Sequence, residues 1–202
     1  MPTLATATDP VTVANRLRPV LLKLNRHLRR EIHSLGVTGG QASLKTLVDE
    51  PDFAIASFLL SVLGEGSFLS LLWFIERHAP DTVTATVARL AGQDEARHVA
   101  FGLAHLHHHG TLDPGLGARL AAAVHRRHEA LRYTAGLNAE VFDALILMAA
   151  GSWEHEDLRT RHTRVLELIQ DMDEGRRKRP AGLGFGDDEA AALSSLHTRN
   201  FM

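Results

Sequence analysis

The stretch Gln93-Asp94-Glu95-Ala96-Arg97-His98 decides the fold that we expect for this chain. Glu95 and His98 are three residues apart, so a helix places both side chains on one face, about one turn apart. A carboxylate and an imidazole in that relation can bind the same metal ion. A second stretch, Met172-Asp173-Glu174-Gly175-Arg176-Arg177, nearly repeats the first, but Arg177 stands where a second His would be. The two stretches together predict helices that carry a metal site.

The composition is that of a soluble globular chain. Its 202 residues fit one domain, or one domain with an appendage, and 45% of them are hydrophobic. The net charge of -2 gives no general preference for nucleic acid or for anionic membranes. Cys is absent, which excludes disulfides and thiolate metal ligands and is typical of a reducing cytosol. The first residues lack the pattern of a signal peptide. We therefore expect a cytoplasmic protein.

The most apolar region, residues 53–75, is interrupted at its centre by Gly64-Glu65-Gly66. A carboxylate in that position argues against a membrane span and for a buried helix, so we expect no membrane association. Burying a lone Glu is costly unless a cation or a hydrogen-bond donor meets it. Glu65 is therefore a candidate metal ligand.

Apolar residues recur every three or four positions along most of the chain, and no run has the period of a β-strand. Gly and Pro interrupt this pattern, which predicts helices over residues 13–35, 41–48, 51–78, 82–109, 114–150, 154–179 and 187–199. We predict an all-α fold in which the four long helices between residues 51 and 179 form an antiparallel bundle. We expect the chain to have two parts. Residues 1–48 would form a tail and an additional N-terminal helix, and residues 49–202 would form the bundle and a short C-terminal helix.

The second half of the bundle has the same layout as the first. Glu140 lies in an apolar helix, as Glu65 does, and Glu174 lies in the near-repeat of the Glu95 motif. Ferritin-like bundles bind two metal ions with one Glu from each of two helices and a Glu-x-x-His pair from each of the other two. A single Glu-x-x-His pair proves little, because a chain with 13 His is expected to contain one by chance. The shared layout is what favours a metal site.

Residues 94–102 resemble the motif of the ferritin-like, di-iron carboxylate superfamily, and the resemblance extends over about residues 51–179. It implies a ferritin-like bundle and a metal-dependent oxidoreductase that activates dioxygen or peroxide and acts on a small-molecule substrate. The cofactor would be iron, as one or two ions, with manganese as the other candidate. By this resemblance Glu65, Glu95 and His98 form one half-site. Glu140 and Glu174 contribute to the other.

The chain departs from the family pattern at Arg177. Arg has no lone pair to give and stays charged, so it would supply the positive charge that a second cation would otherwise bring. We therefore expect one metal ion, or an asymmetric site. Asp94 and Asp173 are each expected to act as an outer partner for the opposite half of the site, where they would hold Arg177 and His98 in place.

Residues 12–47 resemble the start of MarR-type regulators. A helix whose basic residues are Arg16, Arg18, Lys23, Arg26, Arg29 and Arg30 leads into the turn Leu35-Gly36-Val37-Thr38-Gly39-Gly40-Gln41. No recognition helix or β-wing follows, so no element is left to enter a DNA groove and we expect no nucleic-acid partner. The helix is expected to pack on the bundle or to form a homodimer.

Two alternatives stay open at this stage. One is a metal-free bundle with a structural role, in which an ionic network joins Glu65, Glu140, Glu174, Arg97 and Arg177. The other is a MarR-like DNA-binding regulator. Neither a general base nor a substrate pocket is predicted by the sequence.

Overall fold

The structure of the protein is a computed structural model, and it describes residues 39–133 and 139–196. These residues belong to one compact unit, Thr38–Met202, whereas a second unit, Met1–Val37, falls outside the described residues. The expected basic N-terminal helix, a homodimer formed through it and residues 35–38 of the MarR-like turn therefore lie outside the described residues, while residues 39–41 of that turn begin the first described helix. Within the described ranges the secondary structure is helical and contains no strand, which confirms the all-α class.

The helices follow the expected order, with several different boundaries. They are α1 (Gly39–Val48), α2 (Phe53–Ser57), a π-helical segment (Phe58–Glu65), α3 (Gly66–His78), α4 (Thr82–Leu112), α5 (Leu116–Leu131), α6 (Ala139–Ala150), α7 (His155–Gly182) and α8 (Asp187–Ser195). Helix α4 continues through Gly110, and α7 carries Pro180 in its last turn. The single helix expected over residues 114–150 is described as α5, which ends at Leu131 and is followed by a turn at Arg132 and Tyr133, and α6; residues 134–138 are not described.

Aspartate side chains cap the N-termini of two of the helices that lead to the site. The carboxylate of Asp52 accepts a hydrogen bond from the backbone N–H of Ala54 at 2.9 Å at the start of α2. Asp81 accepts one from the backbone N–H of Thr84 at 2.8 Å at the start of α4. Each bond satisfies an N–H group that the helix itself leaves without a partner.

The rod from Phe53 to His78 is continuous, but its middle is not the ordinary α-helix that the sequence predicts. The π-helical segment occupies Phe58–Glu65 and ends at the carboxylate of interest. Wider π-helical turns are rare and are frequently found at functional sites. The carbonyl oxygen of Val62 within this segment accepts a hydrogen bond from Nε of Arg179 at 3.0 Å, so α7 contacts the segment directly.

Two clusters of buried side chains form the core. The first joins the π-helical segment to α4, α5 and α8 and is centred on Phe58, Val62, Leu106 and Leu120. The second joins α3 to α6 and α7 and includes Phe74, Leu145, Val165, Leu168 and Met172. Along the rod, Glu65 therefore stands between the part that enters the first cluster and the part that enters the second.

Among the described residues, the rod Phe53–His78 is the one helix that is long and apolar enough to cross a membrane, judged by length and composition. Within its most apolar window, 56% is buried inside the fold. The core helix of a soluble protein passes the same test, so this finding is weak evidence for a membrane span.

Candidate metal site

Three side chains from two segments of the chain meet at one point. Glu65 comes from the end of the π-helical segment, and Glu95 and His98 come from one face of α4. Their ligand atoms all lie within 4.8 Å of one another, and this is the one such group of three among the described residues. Nδ1 of His98 lies 3.2 Å from Oε2 of Glu95 and 3.6 Å from Oε1 of Glu65. The structure thus brings together the three residues of the first expected half-site.

Close packing of α4 on the π-helical segment makes this meeting possible. Gly102 lies on the buried face of α4, and a Cβ atom added there would stand 2.8 Å from Cβ of Ser61. A larger residue would push the two helices apart. Because the helices touch here, Glu65 on one reaches Glu95 and His98 on the other.

The carboxylate of Glu65 is left without adequate compensation by the protein. Burial raises its pKa above the ordinary value, the charge of Glu95 raises it further, and His98 and the hydroxyl of Ser61 lower it. Its Oε2 atom is buried and has no hydrogen-bond partner. An unsatisfied buried polar atom costs about 1–3 kcal/mol. A cation among the three side chains would remove that cost.

The group is closed on one side and open on the other. The Glu65 side chain is 20% exposed, whereas that of His98 is 57% exposed. Two carboxylate oxygens and one imidazole nitrogen suit Fe, Mn or Zn. Three protein ligands leave further coordination positions for water or substrate, as in catalytic metal sites. The residues present therefore fit one ion that is accessible from solvent.

Glu174 stands away from this group. The buried face of α7 passes through Val165, Leu168 and Met172, and a residue two positions after Met172 points to the opposite side of the helix. Glu174 is accordingly exposed and forms an ion pair with Lys178 at 2.6 Å, and the hydrogen bond from Lys178 lowers the pKa of this carboxyl.

Glu140 is also exposed, in the first turn of α6. Helix α6 packs through Leu145 and Ala149, which are buried on a different side of the helix. Neither Glu140 nor Glu174 joins the three-residue group. Their regular spacing along the chain does not determine which side of a helix faces the interior.

Each of the two expected outer partners forms an ion pair within its own helix, and Asp173 also contacts α8. Asp94 forms an ion pair with Arg97 on the exposed side of α4. Asp173 accepts a hydrogen bond from the Ser194 hydroxyl at 3.0 Å and lies 3.4 Å from Nε of Arg177. Asp173 thus pairs with Arg177 of its own helix and Asp94 with Arg97, so the expected contacts with the opposite half are not among the ion pairs of the described residues.

Two arginines of α7, which the sequence did not predict as site residues, place positive charge in the interior beside the π-helical segment. Arg179 is largely buried, and this burial together with the neighbouring Arg176 lowers its pKa to about 10. Nη2 of Arg179 and two guanidinium nitrogens of Arg176 are buried without a hydrogen-bond partner. The signal in the sequence is their spacing from Met172, which continues the buried face of α7. Gly175 leaves the room, since a Cβ there would lie 2.8 Å from Nη1 of Arg179.

No family model, no curated protein and no solved structure matches the chain. The resemblance to ferritin-like proteins therefore rests on the motif around Glu95 and His98.

Proposed function

We propose that the protein is a metal-dependent oxidoreductase of the ferritin-like type, which activates dioxygen or peroxide at one iron or manganese ion held by Glu65, Glu95 and His98. The observation that carries this proposal is the meeting of these three side chains, with all ligand atoms within 4.8 Å of one another. An ordinary surface ion pair would explain Glu95 and His98, which are one turn apart on α4. It would not explain why Glu65 is buried against them.

A single ion per chain fits the charges best. Glu140 and Glu174, which would have completed a second half-site, are exposed on other faces. Arg177 occupies the place of the second His and stays with Asp173. Two carboxylates neutralise one divalent cation, so a single ion leaves the site close to neutral.

The chain's own groups have distinct roles in this proposal. A bound iron or manganese ion would supply Lewis acidity and a change of oxidation state at this position. Burial raises the pKa of Glu65, the more buried carboxylate, and a bound cation would oppose this by favouring the charged form. His98, the most exposed ligand, lies on the side from which a small molecule arrives.

The same proposal includes the four-helix arrangement. Helix α3 packs against α4 and against α7, and α6 packs against α7. These contacts support a bundle made of two helical hairpins, with Phe53–His78 and α4 in the first and α6 and α7 in the second. An experimental structure with these four helices antiparallel around one core would test it.

Metal titration of the full-length chain tests the binding step. After removal of metal by chelation, we expect one Mn²⁺, or one Fe²⁺ under anaerobic conditions, to bind per chain, measured by calorimetry and elemental analysis. Glu95→Ala and His98→Ala should abolish binding, and the exposed Glu174→Gln should leave it unchanged. Absence of binding by the unmodified chain would favour the structural alternative, and two tightly bound ions would contradict a single-ion site.

Oxidation of the loaded protein tests the redox step separately. On mixing Fe²⁺-loaded protein with dioxygen or with peroxide, we expect a faster rise of ferric absorption in the near ultraviolet than with the same concentration of free Fe²⁺. Glu65→Gln should remove the acceleration. Binding of one ion without any acceleration would leave a metal-binding protein that is not an oxidoreductase.

A further inference from the structure

Helix α4 carries a continuous row of residues on the side away from the core. We call it the outer row, and it consists of Val83, Val87, Leu90, Asp94, Arg97, Phe101, Ala104 and His108. Its large apolar members, Val83, Val87, Leu90 and Phe101, are between 49% and 71% exposed. The spacing alternates between four and three residues, which is the repeat of helices that pack along their length. The opposite face of α4 supplies the buried residues of the core.

The outer row is self-complementary when it meets its own copy in the antiparallel direction. A two-fold axis at the level between residues 95 and 96 places Asp94 opposite the partner's Arg97, and Arg97 opposite the partner's Asp94. The same axis places Leu90 opposite the partner's Phe101. Val87 then lies opposite the partner's Ala104, and Val83 opposite the partner's His108. Apolar residues meet apolar residues through most of the row, and opposite charges meet at its centre.

The positions that flank the outer row do not oppose this pairing. They are Thr84, Ala91, His98 and His105 on one side and Thr86, Gln93, Ala100 and His107 on the other, and none is Asp, Glu, Lys or Arg. Flanking charges are what usually set partner choice and orientation in paired helices. A parallel pair would instead place Asp94 beside the partner's Asp94, and Arg97 beside the partner's Arg97. The central charges therefore favour the antiparallel orientation.

We propose that the protein self-associates through the outer row of α4 as an antiparallel, two-fold symmetric dimer. A contact of this kind uses the same patch on both copies and closes on itself. It covers a row of apolar side chains that a monomer would leave in water. None of the residues in the row is a proposed metal ligand, so the inference does not depend on the metal site.

Sedimentation of the metal-free, full-length protein tests the dimer, over about two decades of concentration around micromolar. We expect the unmodified protein to dimerise and Asp94→Arg to weaken the dimer by about tenfold or more, because it sets like charges opposite each other. Asp94→Arg combined with Arg97→Asp should restore it. Glu156→Arg, in a matched exposed pair with Arg159 on α7, should have no effect. A monomeric protein, or a dimer insensitive to Asp94→Arg, would overturn the proposal; the second result would point to another surface, such as residues 1–37.

Disulfide trapping tests the orientation independently, and the absence of Cys from the chain makes the readout clean. A mixture of Leu90→Cys chains and Phe101→Cys chains should form the mixed disulfide on mild oxidation, identified by intact mass. Each variant alone should form no more dimer than Leu166→Cys, which places a thiol on an exposed part of α7. Efficient trapping of Leu90→Cys with itself would show a parallel pair and overturn the antiparallel register.

Discussion

Replacing Glu65 by Gln is expected to change the stability of the protein in opposite directions with and without metal. In the metal-free protein, Oε2 of Glu65 is buried without a partner and Glu95 adds a like charge nearby. Gln has the same shape, carries no charge and can donate a hydrogen bond to a neighbouring oxygen. An unsatisfied buried atom costs about 1–3 kcal/mol, and since the side chain is still 20% exposed, we expect a gain of about 1 kcal/mol.

The gain should depend on pH in a defined direction. Burial raises the pKa of Glu65 in the folded state above its ordinary value of 4.5, so between these two pKa values the folded protein binds more protons than the unfolded chain. The unmodified protein therefore loses stability as the pH rises from 4.5 through the folded-state pKa. Comparison with Glu65→Gln at each pH separates this effect from the pH dependence of the rest of the protein. The advantage of the variant should be complete above the folded-state pKa of Glu65 and should disappear well below pH 4.5.

Thermal and denaturant unfolding in the presence of a chelator measure this difference. For a chain of this size about 1 kcal/mol corresponds to a rise of roughly 2–4 °C in Tm. With Mn²⁺ at about 100 times its Kd, the unmodified protein should gain about 2.7 kcal/mol, whereas Glu65→Gln should gain little. The order of the two Tm values should therefore reverse when metal is added. Glu174→Gln, at an exposed carboxylate outside the group, should leave both Tm values unchanged.

Two results would refute this reasoning. A metal-free Glu65→Gln protein that is less stable than the unmodified one would show that the buried carboxylate is already compensated by His98. A full response of the variant to Mn²⁺ would show that Glu65 is not a ligand.

Three further predictions concern the packing that positions the site. Gly102→Ala should destabilise the protein by about 1–3 kcal/mol in denaturant unfolding, because the added Cβ would lie 2.8 Å from the facing helical segment. Gly110→Ala in the same helix meets nothing within 4 Å and should stabilise the protein by about 0.5–1 kcal/mol. Equal effects of the two substitutions would argue against the close approach at Gly102. Arg179→Met should raise the free energy of unfolding by about 1 kcal/mol, because it removes a buried charge beside another cation. Arg159→Met, at an exposed arginine, should change it little. A clear loss of stability in Arg179→Met would mean that its hydrogen bond to the π-helical segment contributes more than the buried charge costs. Asp81→Ala should lower Tm at neutral pH through loss of the helix cap, and since the folded-state pKa of Asp81 is lowered from 3.8, the difference should shrink as the pH falls below that value.

The order and approximate extent of the helices could be predicted from the sequence, because helices depend on local spacing. Periodic apolar residues place helices at α4 and α7, and Asp81 begins α4 as its position indicates. Several boundaries nevertheless differ from the expected ones. Gly110 does not end α4, and Pro180 is accommodated in the last turn of α7. The π-helical segment has no pattern of its own in the sequence, because its side chains have the same apolar character as those of an ordinary helix.

The sequence by itself predicted that Glu65, Glu95 and His98 lie close together. Glu95 and His98 share one turn of α4, and Glu65 interrupts an otherwise apolar helix. Only the tertiary structure decided which of the other carboxylates could join them. The rotation of α6 and α7 about their axes is set by the buried contacts of Leu145 and Met172, and this rotation turns Glu140 and Glu174 outward. Local spacing determines that a residue is on a helix and which residues share its face. Which face turns inward is decided by packing against the rest of the chain.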